Sequence, residues 1–254
     1  MSRFATSLRL RVGRAWSIAS QSVLASPAFP LTRYVPIGGN WMYDVQRFAG
    51  TRNLKVIFDI GANEGQTAWG LVRYFPTADI YCFEPIKSTM DILQAKYARY
   101  PNLRFAQTAL GSASGSMSIP LHHTSVLNTL VANQPATEDL SGATETIEID
   151  TLDAYCARER INRIDVLKID VQGWEMEVFR GGRSMVEQGN VGFILAEAAF
   201  RRAVTDMQYF AEQNDYLEKQ GFRFCGFYDV YRVGPQKRFA SHADALYQYV
   251  GLED

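Results

Sequence analysis

Paired or clustered sulfur is missing from this chain. Its three cysteines, Cys82, Cys156 and Cys225, form no C-x-x-C pair, and none of its three histidines stands at metal-ligand spacing from them. That pattern argues against a disulfide scaffold or a zinc ribbon; it fits a reduced, cytoplasmic protein whose cysteines serve as small buried apolar residues. A charge imbalance is missing too. The 26 lysines and arginines meet 27 aspartates and glutamates, so net charge gives no reason to expect a nucleic-acid partner. No window approaches the roughly eighteen continuous apolar residues of a membrane-spanning helix, and there is no internal repeat. One absence is local: the first 43 residues hold Arg3, Arg9, Arg11, Arg14 and Arg33 but no acid, the first carboxylate being Asp44.

Within that basic segment Phe4, Leu8, Val12 and Trp16 recur every fourth residue, which places them along one face of a helix with arginines beside them. Residues 1–20 could therefore lie peripherally on an anionic membrane, at its inner face for a cytoplasmic protein. Packing on the main domain, covering the active site as a lid, or acting as a targeting segment fit the same pattern. The arginines at 9, 11 and 14 interrupt what would be a signal-peptide apolar core.

Ser26-Pro27-Ala28-Phe29-Pro30 and Gly38-Gly39 punctuate the chain, so residues 1–40 are expected to form a separate segment and residues 41–254 the main domain. From there strands and helices alternate. Lys55–Ile60 reads as a buried strand, Gln66–Tyr74 as a helix stopped by Pro76, Asp79–Phe83 as a strand, Ile86–Tyr100 as a helix ended by Pro101, and Leu103–Gln107 as a third strand. Short connections in this order predict an α/β fold with a doubly wound, Rossmann-like parallel sheet. Residues 111–149 break the rhythm and read as an insertion or active-site wall, with strand-like runs at Met117–Leu121 and Thr144–Ile149. Alternation resumes with a helix at Leu152–Glu159, a strand at Ile164–Asp170, a helix at Trp174–Phe179 and a strand at Gly192–Glu197. A helix at Met207–Lys219 and strands at Phe222–Tyr228 and Ala245–Val250 complete the pattern.

The turn Asp59-Ile60-Gly61-Ala62-Asn63-Glu64-Gly65 follows the first strand and opens the first helix, the nucleotide-binding position of doubly wound folds. Its Gly61-x-x-x-Gly65 spacing lacks the G-x-G-x-x-G of dinucleotide binders. Asp59 at the strand end would repel a pyrophosphate and attract a ligand carrying an ammonium and a sulfonium, which favours S-adenosylmethionine. Glu84 ends the second strand, where such folds place the carboxylate that accepts hydrogen bonds from a ribose.

Three blocks, Val56 to Gly65, Phe83-Glu84-Pro85, and Leu167-Lys168-Ile169-Asp170-Val171-Gln172-Gly173-Trp174-Glu175, resemble the FkbM family of methyltransferases over roughly residues 54–250. The resemblance implies a class I methyltransferase fold, its seven-stranded sheet mostly parallel with an antiparallel last strand. It also implies O-methylation of a hydroxyl, often on a sugar or polyketide, here a small-molecule or glycan acceptor. The family commonly carries Glu where this chain has Gln172, so Gln172 is not assigned as a base.

Ligands of open α/β sheets bind beyond the carboxyl ends of the strands. The candidate cofactor set is therefore Asp59, Gly61, Ala62, Asn63, Gly65, Gln66 and Thr67 after the first strand, Glu84 and Pro85 after the second, Thr108 after the third and Asp170 after the fourth. Methyl transfer to a hydroxyl is an in-line displacement that needs a proton acceptor, and Asp170 is the first candidate. Glu175 and Glu197 could orient the acceptor's hydroxyls, or the three carboxylates could hold Mg²⁺, although no spacing demands a metal. Lys168, on the same strand face as Asp170, could stabilise these charges or form a structural ion pair with Glu175. His122 and His123 in the insertion are further candidate bases. Trp41, Tyr43 and Asp44 could wall the cofactor entrance or pack in the core. A nicotinamide-dependent oxidoreductase and a non-catalytic, membrane-peripheral binding protein on the same fold are the competing readings.

Overall fold

Two central strands set the frame. Val56–Ile60 (β1) and Ile164–Ile169 (β7) are mostly apolar and buried on both faces, as the interior of a parallel sheet requires. In the computed structural model, which describes residues 36–122, 140–202, 204 and 207–252, they lie side by side at the centre of a seven-stranded sheet. Its order is β3-β2-β1-β7-β8-β10-β9, with β2 at Asp79–Phe83, β3 at Leu103–Ala106, β8 at Val191–Ala199, β9 at Phe222–Val233 and β10 at Phe239–Tyr249. Every pairing is parallel except those of β10, which runs antiparallel to both neighbours. The last strand is thus antiparallel, as expected.

The order reverses between β1 and β7, which makes their carboxyl ends a topological switch point and opens a crevice there. One core packs helices α1 (Trp41–Ala49), α2 (Ala68–Tyr74) and α3 (Lys87–Tyr97) on one face of the sheet. The other packs α4 (Leu152–Glu159), α5 (Glu175–Gly181), α6 (Arg183–Glu187) and α7 (Phe210–Glu218) on the opposite face. Cys82 and Cys156 are buried within these cores and all three thiols are free. Local chemistry explains the caps: Thr151 accepts from the Ala154 amide at 3.1 Å and starts α4 at the expected residue.

Several boundaries differ from expectation. The first helix begins at Ala68 rather than Gln66, because Gly61, Asn63 and Gly65 all take positive φ and keep the chain curled. Trp41–Ala49 is a helix whose Trp41 and Asp44 lie in the core; Asp44 accepts from the Tyr228 hydroxyl at 2.8 Å and the Gly38 amide at 2.7 Å. These residues pack the domain and wall no entrance. β9 and β10 are longer than the predicted strands, and register shifts in β10 disturb the alternation that would have revealed them.

The expected insertion forms a second sheet of order β4-β6-β5, from Ala109–Leu110, Leu140–Asp150 and Gly115–His122. Ile119 and Ile147 from it join Ile86 and Ala109 in a third small core. No helix among the described residues is long and apolar enough to cross a membrane. The basic face proposed for residues 1–20 lies outside the described residues, as does His123; β5 ends on His122.

Candidate functional site

The turn after β1 is shaped by close approach. Gly61 sits at φ +76°, and a Cβ there would lie 1.9 Å from the Asp170 carbonyl oxygen, so the loops after β1 and β7 are pressed together at a position only glycine can fill. The Gly61 and Ala62 amides donate to the Phe83 carbonyl at 3.0 and 2.9 Å, which ties this turn to the end of β2. Glu84 completes the tie: its Oε2 accepts from the Asn63 amide at 3.1 Å and its Oε1 from the Ile86 amide at 3.0 Å. A buried carboxylate thus organises two loops by accepting backbone donors.

Around this knot lies a cavity of about 210 Å³. Ten of the predicted residues line it: Gly61, Ala62, Asn63, Gln66, Thr67, Glu84, Pro85, Thr108, Lys168 and Asp170. Its apolar walls come from Ile60, Phe83, Ile86, Leu110 and Ile119. The second sheet therefore does form a wall of the site, through β4 and Ile119 on β5.

Asp59 and Gly65 are placed elsewhere. Asp59 has no exposed surface and lies outside the cavity lining; it pairs in register with Lys168 on β7, whose Nζ is 2.9 Å from its Oδ1. The expectation that its carboxylate faces a ligand is corrected: β1 is covered on both faces, so a charge one residue from its end needs a partner within the sheet. Gly65 serves packing. A Cβ there would come within 2.4 Å of the Tyr97 ring, whose hydroxyl donates to the Gly65 carbonyl at 2.9 Å.

Lys168 continues towards the cavity, its Nζ 3.4 Å from Asp170 Oδ2. Burial alone would lower its pKa, but Asp59 and Asp170 outweigh that and hold the ammonium above its ordinary value. The structural ion pair foreseen for Lys168 exists, with Asp59 rather than Glu175. Glu175 instead turns back under its own loop, its Oε1 accepting from the Gly173 amide at 3.2 Å and the Val171 amide at 3.4 Å. It has no exposed surface, and burial pushes its carboxyl up to about 7. It shapes the loop and offers nothing to an acceptor's hydroxyls.

From Asp170 a polar chain runs along the carboxyl edge of the sheet. Gln172, in the left-handed region at φ +52°, donates from Nε2 to Asp170 Oδ1 at 3.2 Å and to Glu197 Oε2 at 3.3 Å. Glu197 lies outside the cavity lining; its Oε1 is 3.7 Å from His242 Nε2, and its register partner on β10 is Asp244. The His242 ring stacks on Tyr231, centroids 4.8 Å apart. Burial, reinforced by Asp170, Glu175 and Asp244, pushes the Glu197 carboxyl up to about 9; burial and Asp170 push Asp244 up to about 7. Burial also raises Glu84 to about 7 against the pull of its two backbone donors. Among the described residues, no group of three or more His, Cys, Asp or Glu side chains is arranged to hold a metal ion.

Gln172, His242, Asp244 and Tyr231 were not found in the sequence as site residues. Gln172 carried a signal, since it lies two residues after Asp170 in the third block; His242 and Asp244 reach this edge only through the antiparallel return of β10, and Tyr231 on β9 through its pairing with His242. Trp174 caps α5 with its indole nitrogen buried, packed over Gly111 and Ile149.

A seven-stranded, doubly wound sheet with one antiparallel strand and a cavity at its β1/β7 switch point defines a Rossmann-like methyltransferase domain. Residues 59–224 match the methyltransferase FkbM domain, more than half of the chain, and the protein belongs to that methyltransferase family. Among curated relatives, the 2-O-methyltransferase NoeI of Sinorhizobium fredii is 26% identical over 148 residues, covering 50% of this chain and 57% of that protein. Methyltransferase sdnD of Sordaria araneosa is 29% identical over 153 residues, 49% of this chain and 59% of its own length. The chain thus spans under two thirds of the length of these relatives. The crystal structure of methyltransferase FkbM from Methylobacillus flagellatus aligns with a TM-score of 0.49 at 16% identity, over 78% of this chain and 44% of that one.

Proposed function

We propose that this methyltransferase uses S-adenosylmethionine to methylate a hydroxyl, on a sugar or glycan-type acceptor. The observation that carries the reading is Glu84, a buried carboxylate on the wall of a cavity that also has an apolar side made by Phe83, Ile86, Leu110 and Ile119. An acid there suits hydroxyl donors and disfavours a pyrophosphate, and the turn lacks the glycine spacing of dinucleotide binders. The residues fit the cofactor. Glu84 would take its ribose hydroxyls, Phe83, Ile86, Leu110 and Ile119 its flat apolar ring, and the Gly61–Asn63 turn its close approach to backbone.

When bound, the cofactor supplies an electrophilic methyl group on a positively charged sulfur. Asp170, lining the same cavity, is the group placed to take the proton of an attacking hydroxyl. Lys168 and Gln172 fix its orientation from either side. O-methylation is supported by the name of the NoeI relative, and a sugar acceptor by the family resemblance. A cytoplasmic setting is supported by three unpaired thiols.

The test is methyl transfer from labelled S-adenosylmethionine to a panel of glycosides and glycolipids, with products read by mass spectrometry. A methyl ether on one acceptor class is the expected product. Methyl transfer to nitrogen or carbon alone would contradict the reading. Asp170→Asn should cut turnover about 10²-fold or more.

A further inference from the structure

The last two strands run on beyond the sheet that they close. β10 meets β8 from His242, opposite Ala199 at the end of β8, whereas its pairing with β9 begins earlier, at Phe239 opposite Val233. Residues 230–241 therefore form a two-stranded ribbon past the edge of β8. Because β10 is antiparallel to β8, the ribbon projects from the carboxyl edge of the sheet, the edge on which the cavity opens.

Its surface is apolar and basic together. Val230, Tyr231, Val233 and Phe239 are 39%, 54%, 36% and 57% exposed. Arg232, Lys237 and Arg238 stand among them, all exposed, and no acidic residue occurs between Asp229 and Asp244. Large apolar side chains exposed from the base of a thin ribbon, at Val230 and Tyr231, to its outer part, at Val233 and Phe239, are costly in water and mark a surface made to be covered.

We propose that this ribbon docks on an anionic lipid surface, its apolar side chains entering the headgroup layer and its three cations meeting lipid phosphates. Charge decides between occupants. A second copy joined by a two-fold axis would set the same cations against themselves, and a polynucleotide would leave the four apolar side chains in water. Docked in this way, the chain turns the open edge of its cavity towards the bilayer, so that a hydroxyl displayed at the lipid surface lies within its reach. The proposal goes beyond the methyl-transfer reading and does not depend on it.

The experiment is flotation of the full chain with vesicles of phosphatidylcholine alone or mixed with phosphatidylglycerol. It is run on a chain with Arg3, Arg9, Arg11 and Arg14 changed to Gln, so that residues 1–20 carry no basic side chain. That chain is expected to float with the anionic vesicles only. Adding R232Q, K237Q and R238Q should weaken partition about a hundredfold, from about fivefold per cation at low salt, and Phe239→Ser should weaken it further. The thermal unfolding midpoint, measured on the same variants, should stay unchanged and shows that they are folded. Absence of flotation with anionic vesicles, or flotation unaffected by the three substitutions, overturns the proposal. So does a dimer in sedimentation that the substitutions dissociate, or a tighter association with RNA than with the vesicles.

Discussion

The two ends of the proposed site are built by different means. At the proposed cofactor end, backbone does the shaping: the Gly61 and Ala62 amides bond to Phe83, and both Glu84 oxygens are held by amides. At the proposed acceptor end, which runs from Asp170 past the cavity lining, side chains face one another: Asp170, Glu197 and Asp244 crowd one sheet edge with Lys168, Gln172 and His242 between them. The backbone cradle is fixed by the fold and holds a single carboxyl, Glu84, pushed up to about 7, whereas the other end crowds several carboxyls that stay poised to exchange protons. The first suits holding one cofactor and the second suits handling an acceptor's proton.

Lys168 joins the two ends, so removing it should have the largest effect. Lys168→Met leaves Asp59 buried without its cation and should cost about 3–5 kcal/mol in urea denaturation. Adding Asp59→Leu should recover most of that loss, which would show that Asp59 is a structural counter-ion. Gly61→Ala comes next. It sets a methyl group against the Asp170 carbonyl at positive φ and should cost about 3 kcal/mol, weakening cofactor binding with it.

Much of the cofactor end was legible in the sequence because its signals are local. An apolar run, a glycine turn and a carboxylate at the next strand end occupy a short stretch of chain, and Pro76 and Pro101 punctuate the helices between. The acceptor end was legible only at Asp170 and Glu197, since Asp244 and His242 arrive through a strand order that no local pattern reveals. Asp59 shows the limit most clearly. A carboxylate near a strand end reads alike whether it faces a ligand or a lysine on the neighbouring strand, and only the Asp59–Lys168 register decides. Helix α6 is too short to show a period, and the bulged outer parts of β9 and β10 lack clean alternation.

Two smaller effects sharpen the contrast. Glu84→Gln puts an amide where two backbone donors converge, and should lower cofactor affinity about tenfold by calorimetry, with a stability loss near 1 kcal/mol. Glu197 tests the proton-exchanging end. Its carboxyl titrates near 9 in the folded chain against an ordinary 4.5, so the folded state binds the extra proton between those values. Stability should fall as pH rises through that window, and Glu197→Gln should flatten the fall, raising Tm at pH 8 by about 3 °C relative to the parent.

Calorimetric titration with S-adenosylmethionine, S-adenosylhomocysteine and NAD tests the cofactor assignment most directly. Saturable binding of both sulfur ligands, weakened in Gly61→Ala and in Glu84→Gln, is the predicted result. Binding of NAD with no response to either sulfur ligand would contradict it.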